Sequence, residues 1–277
     1  MEVAEKKVEG EAGGYKRMAE IQMLKKDKKT GRATFLLKNT NAAFANSMRR
    51  MMVDTVPTMA IEDVEFRKNS SVLYDEMMAH RLGLVPLKTD LKSYTLPAKC
   101  KCEGKGCARC TLKLTLKAKG PGTVYASDIK SKDPKVKPAY PKTPIVKLLK
   151  GQELELEATA ILGEGKDHVK FSPGLVWYNK EPKITVNNKA ELIEKFKEKY
   201  PAEIFDKNGK ISADLIIENG LVDACDGVCN DLVKIEYNDK NFIFNIEPWG
   251  QLTPSEMLAH AATLFNEKLE EFDKGLK

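Results

Sequence analysis

Four cysteines lie close together in the middle of the sequence and offer the clearest chemistry in it. They fall within eleven residues, at Cys100, Cys102, Cys107 and Cys110. Four thiolates can form a closed tetrahedral shell around Zn²⁺, which leaves no coordination position open for a substrate or a reactive water. Two glycines between the second and third cysteine let the loop fold back on itself. The spacing therefore predicts a structural zinc site, and metal binding supplies the free energy that folds the loop.

A cluster of unliganded or redox-active thiols is the alternative interpretation of these cysteines. The sequence holds six cysteines in 277 residues, and its charged N-terminal stretch lacks the apolar core of a secretion signal. Reduced thiols or metal ligands are therefore expected in place of a disulfide framework, together with a cytosolic, cytoplasmic location. No run approaches the roughly 20 apolar residues that span a bilayer, so no membrane contact is expected.

A helix is predicted for residues 39–57, upstream of the cysteine loop. Polar residues at 39–41 can cap its first turn, and Pro57 disfavours the helical conformation for the residue before it. One face of this helix is apolar and rich in methionine, with Phe44, Met48, Met51, Met52 and Thr55. That face packs on the protein's own sheet or binds a partner, because methionine is common at both kinds of contact.

Alternating apolar and polar residues predict several strands around this helix. The segments 21–23 and 33–37 are expected to form a hairpin before the helix. Strands are expected at 112–116, directly after the cysteines, and at 154–160. Residues 234–237 and 242–246 are predicted to form a second hairpin, with Asn238 and Asp239 in its turn.

A long terminal helix is predicted to begin at Thr253, which forms a capping box with Glu256 and is followed by Pro254. Its apolar residues make a broad stripe that consists of Met257, Leu258, Ala261, Leu264, Phe265, Leu269 and Phe272. Packing inside the domain and contact with a partner both remain open for this stripe.

Two adjacent motifs resemble the alpha-like subunits of RNA polymerase. The first reads NSMRRMM from Asn46 and continues as VPTMAIEDV from Val56. The second reads DEMMAHRLGLVPL from Asp75 and is similar to a segment of archaeal D subunits and of the third-largest subunit of eukaryotic RNA polymerase II. Two matches of this length are specific, and the resemblance extends over most of the chain.

The resemblance implies an α+β fold with a discontinuous alpha-like dimerisation domain, at residues 1–56 and 233–277. It places an inserted mostly-β domain with the four-cysteine loop at 57–177 and a ferredoxin-like insert at 178–232. The implied role is a non-catalytic assembly platform in transcription, which pairs with the small L-type subunit and docks the second-largest subunit and the small zinc-bearing subunits. Partner contacts are expected at Phe44, Met48, Arg49, Arg50, Met51, Leu258, Ala261 and Phe265, the two arginines being candidates for the large subunit.

The predicted insert carries the two remaining cysteines, Cys225 and Cys229. In several archaeal members of the family the corresponding region holds an iron–sulfur cluster. This sequence has Asn219 and Val222 where two of the ligands would stand, and two thiolates do not satisfy a cluster that takes three or four. The insert is therefore expected to keep its shape without a cluster, as an archaeal remnant with vestigial cysteines.

No catalytic residue is assigned, because the sequence shows no paired-carboxylate Mg²⁺ motif, nucleophile elbow or Cys–His dyad. The net charge of +6 permits a nucleic-acid partner without requiring one, and DNA is expected to be met only through the polymerase complex. Two other classes stay open. A free zinc-ribbon nucleic-acid binder would use the cysteine loop, the lysines around it and the lysine-rich tracts at 25–29 and 130–142. A ferredoxin-like electron carrier would need an iron–sulfur cluster.

Overall fold

The computed structural model describes residues 19–276. Residues 1–18, which belong to the predicted segment 1–56, and residue 277 lie outside that range. The strands are β1 (Glu20–Lys26), β2 (Ala33–Lys38), β3 (Thr58–Asn69), β4 (Thr111–Lys119), β5 (Gly122–Tyr125), β6 (Lys130–Ser131), β7 (Pro144–Leu148), β8 (Glu153–Gly163), β9 (Gly174–Val186) and β10 (Val233–Pro248). The α-helices are α1 (Ala42–Arg50), α2 (Asp75–Gly83), α3 (Ala190–Phe196), α4 (Ala213–Glu218), α5 (Val222–Cys225) and α6 (Pro254–Gly275).

The described strands form three sheets. Their orders are β1-β2-β10-β9, β3-β8-β4-β6 and β5-β7. In the second sheet β8 pairs antiparallel with β3 on one side and with β4 on the other, and the third sheet is antiparallel as well. The predicted strands at 112–116 and 154–160 lie in β4 and β8, and β1 and β2 are adjacent as the predicted hairpin requires. Helices mixed with antiparallel sheets agree with the α+β class.

The second sheet has one dry face and one charged face. On the dry face β8 buries every second residue, and these side chains join Met78 and Leu82 of α2 in a single apolar cluster. On the other face the glutamates of β8 form ion pairs with lysines of β4, namely Glu157 with Lys113, Glu155 with Lys117 and Glu153 with Lys119. This alternation is typical of an antiparallel sheet that is covered on one side only.

Strand β10 corrects the prediction of a second hairpin at 234–246, which is wrong. The strand runs without a break from Val233 to Pro248. Asn238 and Asp239 do not reverse the chain, because their surroundings hold it extended. The Asp239 carboxylate pairs with Lys180 of β9, and the carbonyl of Lys240 accepts the N–H of Thr40 at 2.9 Å. Tertiary pairing therefore overrides the turn preference of the Asn-Asp dipeptide.

The predicted helices are present, with local differences at their ends. The helix in segment 39–57 is α1, and it continues into a π-helical turn at Met51–Thr55 that the sequence did not indicate. In α6 the predicted capping box is confirmed, since the Thr253 hydroxyl accepts the N–H of Glu256 and the Glu256 carboxylate accepts the N–H of Thr253. These bonds satisfy amide groups that have no partner within the helix.

The chain divides into two compact units. The larger consists of Met23–Phe35, Ala43–Tyr178 and the described residues from Phe244 onward. The smaller contains the first described residues up to Gln22, together with Leu36–Ala42 and Asn179–Ile243. It has an apolar core of its own, formed by Tyr200, Ile204, Ile211, Ile216, Cys225, Leu232 and Val233. Within residues 19–276 no helix has the length and apolar content that a membrane crossing needs.

Candidate metal centre and surrounding surfaces

The four-cysteine loop lies in the larger unit, directly before β4. A short 3-10 turn at Pro97–Lys99 leads into it, and Cys110 is the last residue before the strand. The side chain of Cys110 is buried, whereas the other three cysteines are partly exposed. One ligand is thus fixed to a strand of the core sheet, and the others are carried by the loop.

The four sulfur atoms converge on one point. The Sγ–Sγ distance is 3.4 Å for Cys102 with both Cys100 and Cys110, 3.5 Å for Cys100 with Cys107, and 3.8 Å for Cys107 with Cys110. All four sulfurs lie within 4.8 Å of one another. A tetrahedron of sulfurs about 2.3 Å from a central Zn²⁺ has edges of about 3.8 Å. The donor set and its spacing therefore fit a zinc ion.

Backbone turns bring the cysteines together. The carbonyls of Cys100 and Cys102 accept N–H groups three residues further on, and the carbonyl of Cys107 accepts the N–H of Cys110 at 3.0 Å. Both intervening glycines adopt left-handed conformations, with φ of 79° at Gly104 and 83° at Gly106. The prediction that these glycines let the loop fold back is confirmed, because only glycine adopts such angles without strain.

The thiols of the loop differ in acidity. Hydrogen bonds with the thiols of Cys100 and Cys110 lower the pKa of Cys102 to about 6. Burial raises the pKa of Cys110 to about 12. A zinc ion binds thiolates, so metal binding must displace a proton from Cys110, whereas Cys102 favours the thiolate already. All six cysteines are free thiols.

The surroundings of Cys225 and Cys229 differ from those of the four loop cysteines. Burial in the apolar core of the smaller unit raises the pKa of Cys225, and the Cys229 carbonyl accepts a long hydrogen bond of 3.5 Å from the Tyr200 hydroxyl. Across residues 19–276, three or more ligand-forming side chains come together only at the four-cysteine loop. The structure thus brings together four of the six sequence-predicted cysteines and leaves the other two outside that group.

The residues expected to bind partners fall into two sets. Met48, Met51 and Ala261 are buried inside this chain. Phe44, Leu258 and Phe265 are half-buried, and the rings of Phe44 and Phe265 pack edge to face with centroids 5.9 Å apart. Thus α1 and α6 pack against each other through part of their apolar faces. The contribution of these residues to a partner contact stays a prediction.

Arg50 and the end of α6 are more accessible, whereas Arg49 is half-buried. Arg49 donates to the side chain of Asn46 at 3.1 Å, and the exposed Arg50 pairs with Asp54 at 3.4 Å. Near the C-terminus Leu269, Phe272 and Leu276 are 51%, 67% and 71% exposed. The predicted apolar stripe did not include Leu276. Extending the same helical periodicity by one turn beyond Phe272 would have included it.

The sequence of this chain is similar to known subunits of RNA polymerase. Residues 64–174, which contain the four cysteines, match the RNA polymerase Rpb3/RpoA insert domain. DNA-directed RNA polymerase subunit Rpo3 of Methanosarcina acetivorans is 42% identical over 245 residues, which are 86% of this chain and 92% of the relative. The chain belongs to the Rpo3 family. Subunit Rpo3 of Archaeoglobus fulgidus is 37% identical over 261 residues, with 93% of this chain and 97% of the relative covered.

A third Rpo3 relative aligns over a shorter length. Subunit Rpo3 of Pyrococcus furiosus is 46% identical over 159 residues, which are 57% of this chain and 58% of the relative. The predicted membership of the alpha-like RNA polymerase subunits is therefore confirmed, and the relatives are archaeal as the resemblance indicated.

Proposed function

We propose that this chain is a non-catalytic subunit of an archaeal, cytoplasmic DNA-directed RNA polymerase. The observation that carries the proposal is the alignment with Rpo3 subunits over nearly the whole length of both proteins. In this role the chain holds other subunits in place, and it meets DNA only through the assembled enzyme.

The distribution of side chains supports a role without catalysis. Nucleotidyl transfer by metal ions needs carboxylates that hold two cations roughly 4 Å apart. In the described part of the chain the one group with metal-binding potential consists of four cysteines. A closed sulfur shell offers no open coordination position for a nucleotide. In this proposal the chemistry belongs to the large subunits.

The zinc ion at the four-cysteine loop is structural in this proposal. None of residues 100–109 is buried, and Cys110 connects the loop to β4 of the core sheet. Zinc binding holds the loop against that strand. The loop then forms part of a docking surface for the small zinc-bearing subunits.

Helices α1 and α6 carry the heterodimer contact with the small L-type subunit. The exposed end of α6, with Leu269, Phe272 and Leu276, supports this assignment because apolar side chains so exposed gain stability when a partner covers them. Arg49 and Arg50 at the end of α1 are the candidates for contact with the second-largest subunit.

Co-expression with an archaeal L-type subunit tests the proposal. We expect a stable heterodimer on size exclusion, with about one zinc and no iron in the same fractions. Phe272→Asp is expected to weaken the heterodimer at least about tenfold, because it places a charge in an apolar contact. Leu149→Asp is the matched control, since Leu149 is 55% exposed and lies outside α6. A folded chain that stays monomeric beside the L-type subunit would contradict the proposal.

A further inference from the structure

A groove that the proposed function leaves unused lies in the larger unit. It consists of two adjoining cavities of about 620 Å³ and about 490 Å³, which share Lys29, Thr30, Tyr140, Pro248 and Gln251. Cavities of this size accept several side chains or a short stretch of polypeptide.

The walls of the groove are held together by the backbone. The N–H of Ala139 donates to the carbonyl of Pro86 at 2.8 Å, and the N–H of Thr89 donates to the carbonyl of Gln251 at 3.0 Å. Gly250 has a φ of +93°, and a Cβ atom there would lie 2.7 Å from the Cβ of Ala139. Three segments distant in sequence are therefore packed tightly, and a rigid groove loses little conformational freedom when it binds.

One side of the groove is apolar and open. Leu84, Tyr140 and Val169 line it while remaining 49%, 50% and 58% exposed, and Pro86, Pro248 and Trp249 complete this side. Single exposed apolar side chains are common on protein surfaces. Several of them around one cavity are typical of a binding surface.

The groove also carries an excess of positive charge. Six cations and two carboxylates line the two cavities. Three of the cations form ion pairs with carboxylates of this chain, in the pairs Arg32–Glu247, Lys135–Asp90 and Lys170–Glu62. Lys28, Lys29 and Lys88 form no ion pair with any residue between 19 and 276. The carboxylate of Glu256 is already used by the cap of α6.

We propose that this groove binds an extended segment of another polymerase subunit that has net negative charge and inserts apolar side chains. The three unpaired lysines select for acidic residues, and the wall of Leu84, Pro86, Val169 and Pro248 accepts aliphatic or aromatic anchors. Nucleic acid fits less well, because base stacking needs a series of aromatic faces and this wall is mainly aliphatic. The inference rests on the proposed function, since it takes the partner from the same complex.

Site-specific cross-linking in reconstituted polymerase tests the inference. Leu84 is replaced by p-benzoyl-L-phenylalanine, the enzyme is assembled from its subunits, and after irradiation the adduct is identified by mass spectrometry. We expect a cross-link to a segment of another subunit with net negative charge. A cross-link to DNA, to RNA or to a basic segment would overturn the inference, as would the absence of any adduct in assembled enzyme. Failure of the chain to enter the enzyme, seen on size exclusion, would instead contradict the proposed function.

Charge reversal provides the second measurement. Lys29→Glu with Lys88→Glu is expected to lower the yield of that adduct roughly tenfold, and raised salt is expected to lower the wild-type yield in the same direction. The matched control is Lys130→Glu with Lys150→Glu, which makes the same change of charge at exposed positions outside the groove. Equal losses in the two double variants would overturn the role of the groove lysines.

Discussion

The four-cysteine loop and the segment around Cys225 and Cys229 use the same amino acid in opposite ways. In the loop four sulfurs face one another within 4.8 Å, and three of the four cysteines are partly exposed. In the smaller unit Cys225 is fully buried among Ile204, Ile216 and other apolar side chains. One cysteine set offers a metal shell, and the other contributes a small apolar side chain to a core.

The difference shows how a short segment acquires a fixed structure. None of residues 100–109 is buried, so in our proposal the order of this loop depends on a bound zinc ion. The smaller unit buries enough isoleucine, leucine and tyrosine to hold its shape through packing. We therefore expect the smaller unit to fold without a metal, and the loop to lose its order when its zinc is removed.

Removal of one loop ligand has the largest expected effect. Cys107→Ala leaves three thiolates, and we expect the zinc content to fall from about one to near zero, because structural zinc binding is worth on the order of 10 kcal/mol and needs the full shell. The amide hydrogens of residues 100–110 are expected to lose their protection from exchange, while those of β8 stay protected. Zinc analysis and hydrogen exchange on the same sample measure both effects.

Cys225→Ala is the control for this ligand deletion. It removes a buried thiol without touching the loop, so the zinc content and the exchange of residues 100–110 should match those of the wild type. A loss of zinc in Cys225→Ala would show that the two cysteine sets are not independent, whereas retention of zinc in Cys107→Ala would contradict the requirement for a full shell of four thiolates.

A cavity in the core of the smaller unit should have an intermediate effect. Ile216 is fully buried and its neighbour Ile217 is 47% exposed on the same helix. Ile216→Ala is expected to cost about 2–5 kcal/mol, whereas Ile217→Ala should cost less than about 1 kcal/mol. Amide exchange of residues 187–232 at several denaturant concentrations gives both values. Equal effects would indicate that packing does not hold this unit.

The smallest effect concerns alkaline pH. Burial raises the pKa of Tyr200 to about 12, compared with 10.0 for an exposed tyrosine. Because the folded pKa is raised, the associated stability is complete below pH 10 and is lost as the pH rises from about 10 to about 12. Absorbance titration at about 295 nm together with amide exchange should show the smaller unit loosening in this range.

Tyr200→Phe sharpens the test of alkaline loosening. It removes the ionisable group of Tyr200 and one long hydrogen bond of 3.5 Å, so the smaller unit should lose part of its sensitivity between pH 10 and pH 12. Cys225 and Tyr237, whose pKa values are also raised, account for the remainder. Tyr74→Phe, at an exposed tyrosine of the larger unit, should leave the wild-type profile unchanged. An unchanged profile in Tyr200→Phe would assign the alkaline sensitivity to another group.

The convergence of the four cysteines could be predicted from the sequence because the information that determines it is local. Cysteine spacing and two glycines determine how a loop of eleven residues can turn, and the sulfurs converge as the spacing requires. The same holds for the cap of α6, where Thr253 and Glu256 act within one helical turn. Local chemistry of this kind depends little on the rest of the fold.

Features that depend on distant segments were not predictable in this way. The continuous β10 is held by Lys180 and Thr40, which the Asn-Asp pattern cannot indicate. The burial of Met48 and Ala261 can be predicted only if it is known that α1 and α6 face each other. The groove beside Tyr140 is formed by separate segments of the chain and has no signature in any single one.

Strand β8 has a consequence for synthesis of the chain. It is the strand to which β3 and β4 both bond, and those two strands do not bond to each other. During translation β3 and β4 therefore wait with unpaired edges until residue 163 has left the ribosome. Such edges are prone to aggregate, and pairing across so many residues is slow. The growing chain therefore exposes these two edges between the synthesis of β4 and that of β8, and a chaperone bound in this interval would protect them.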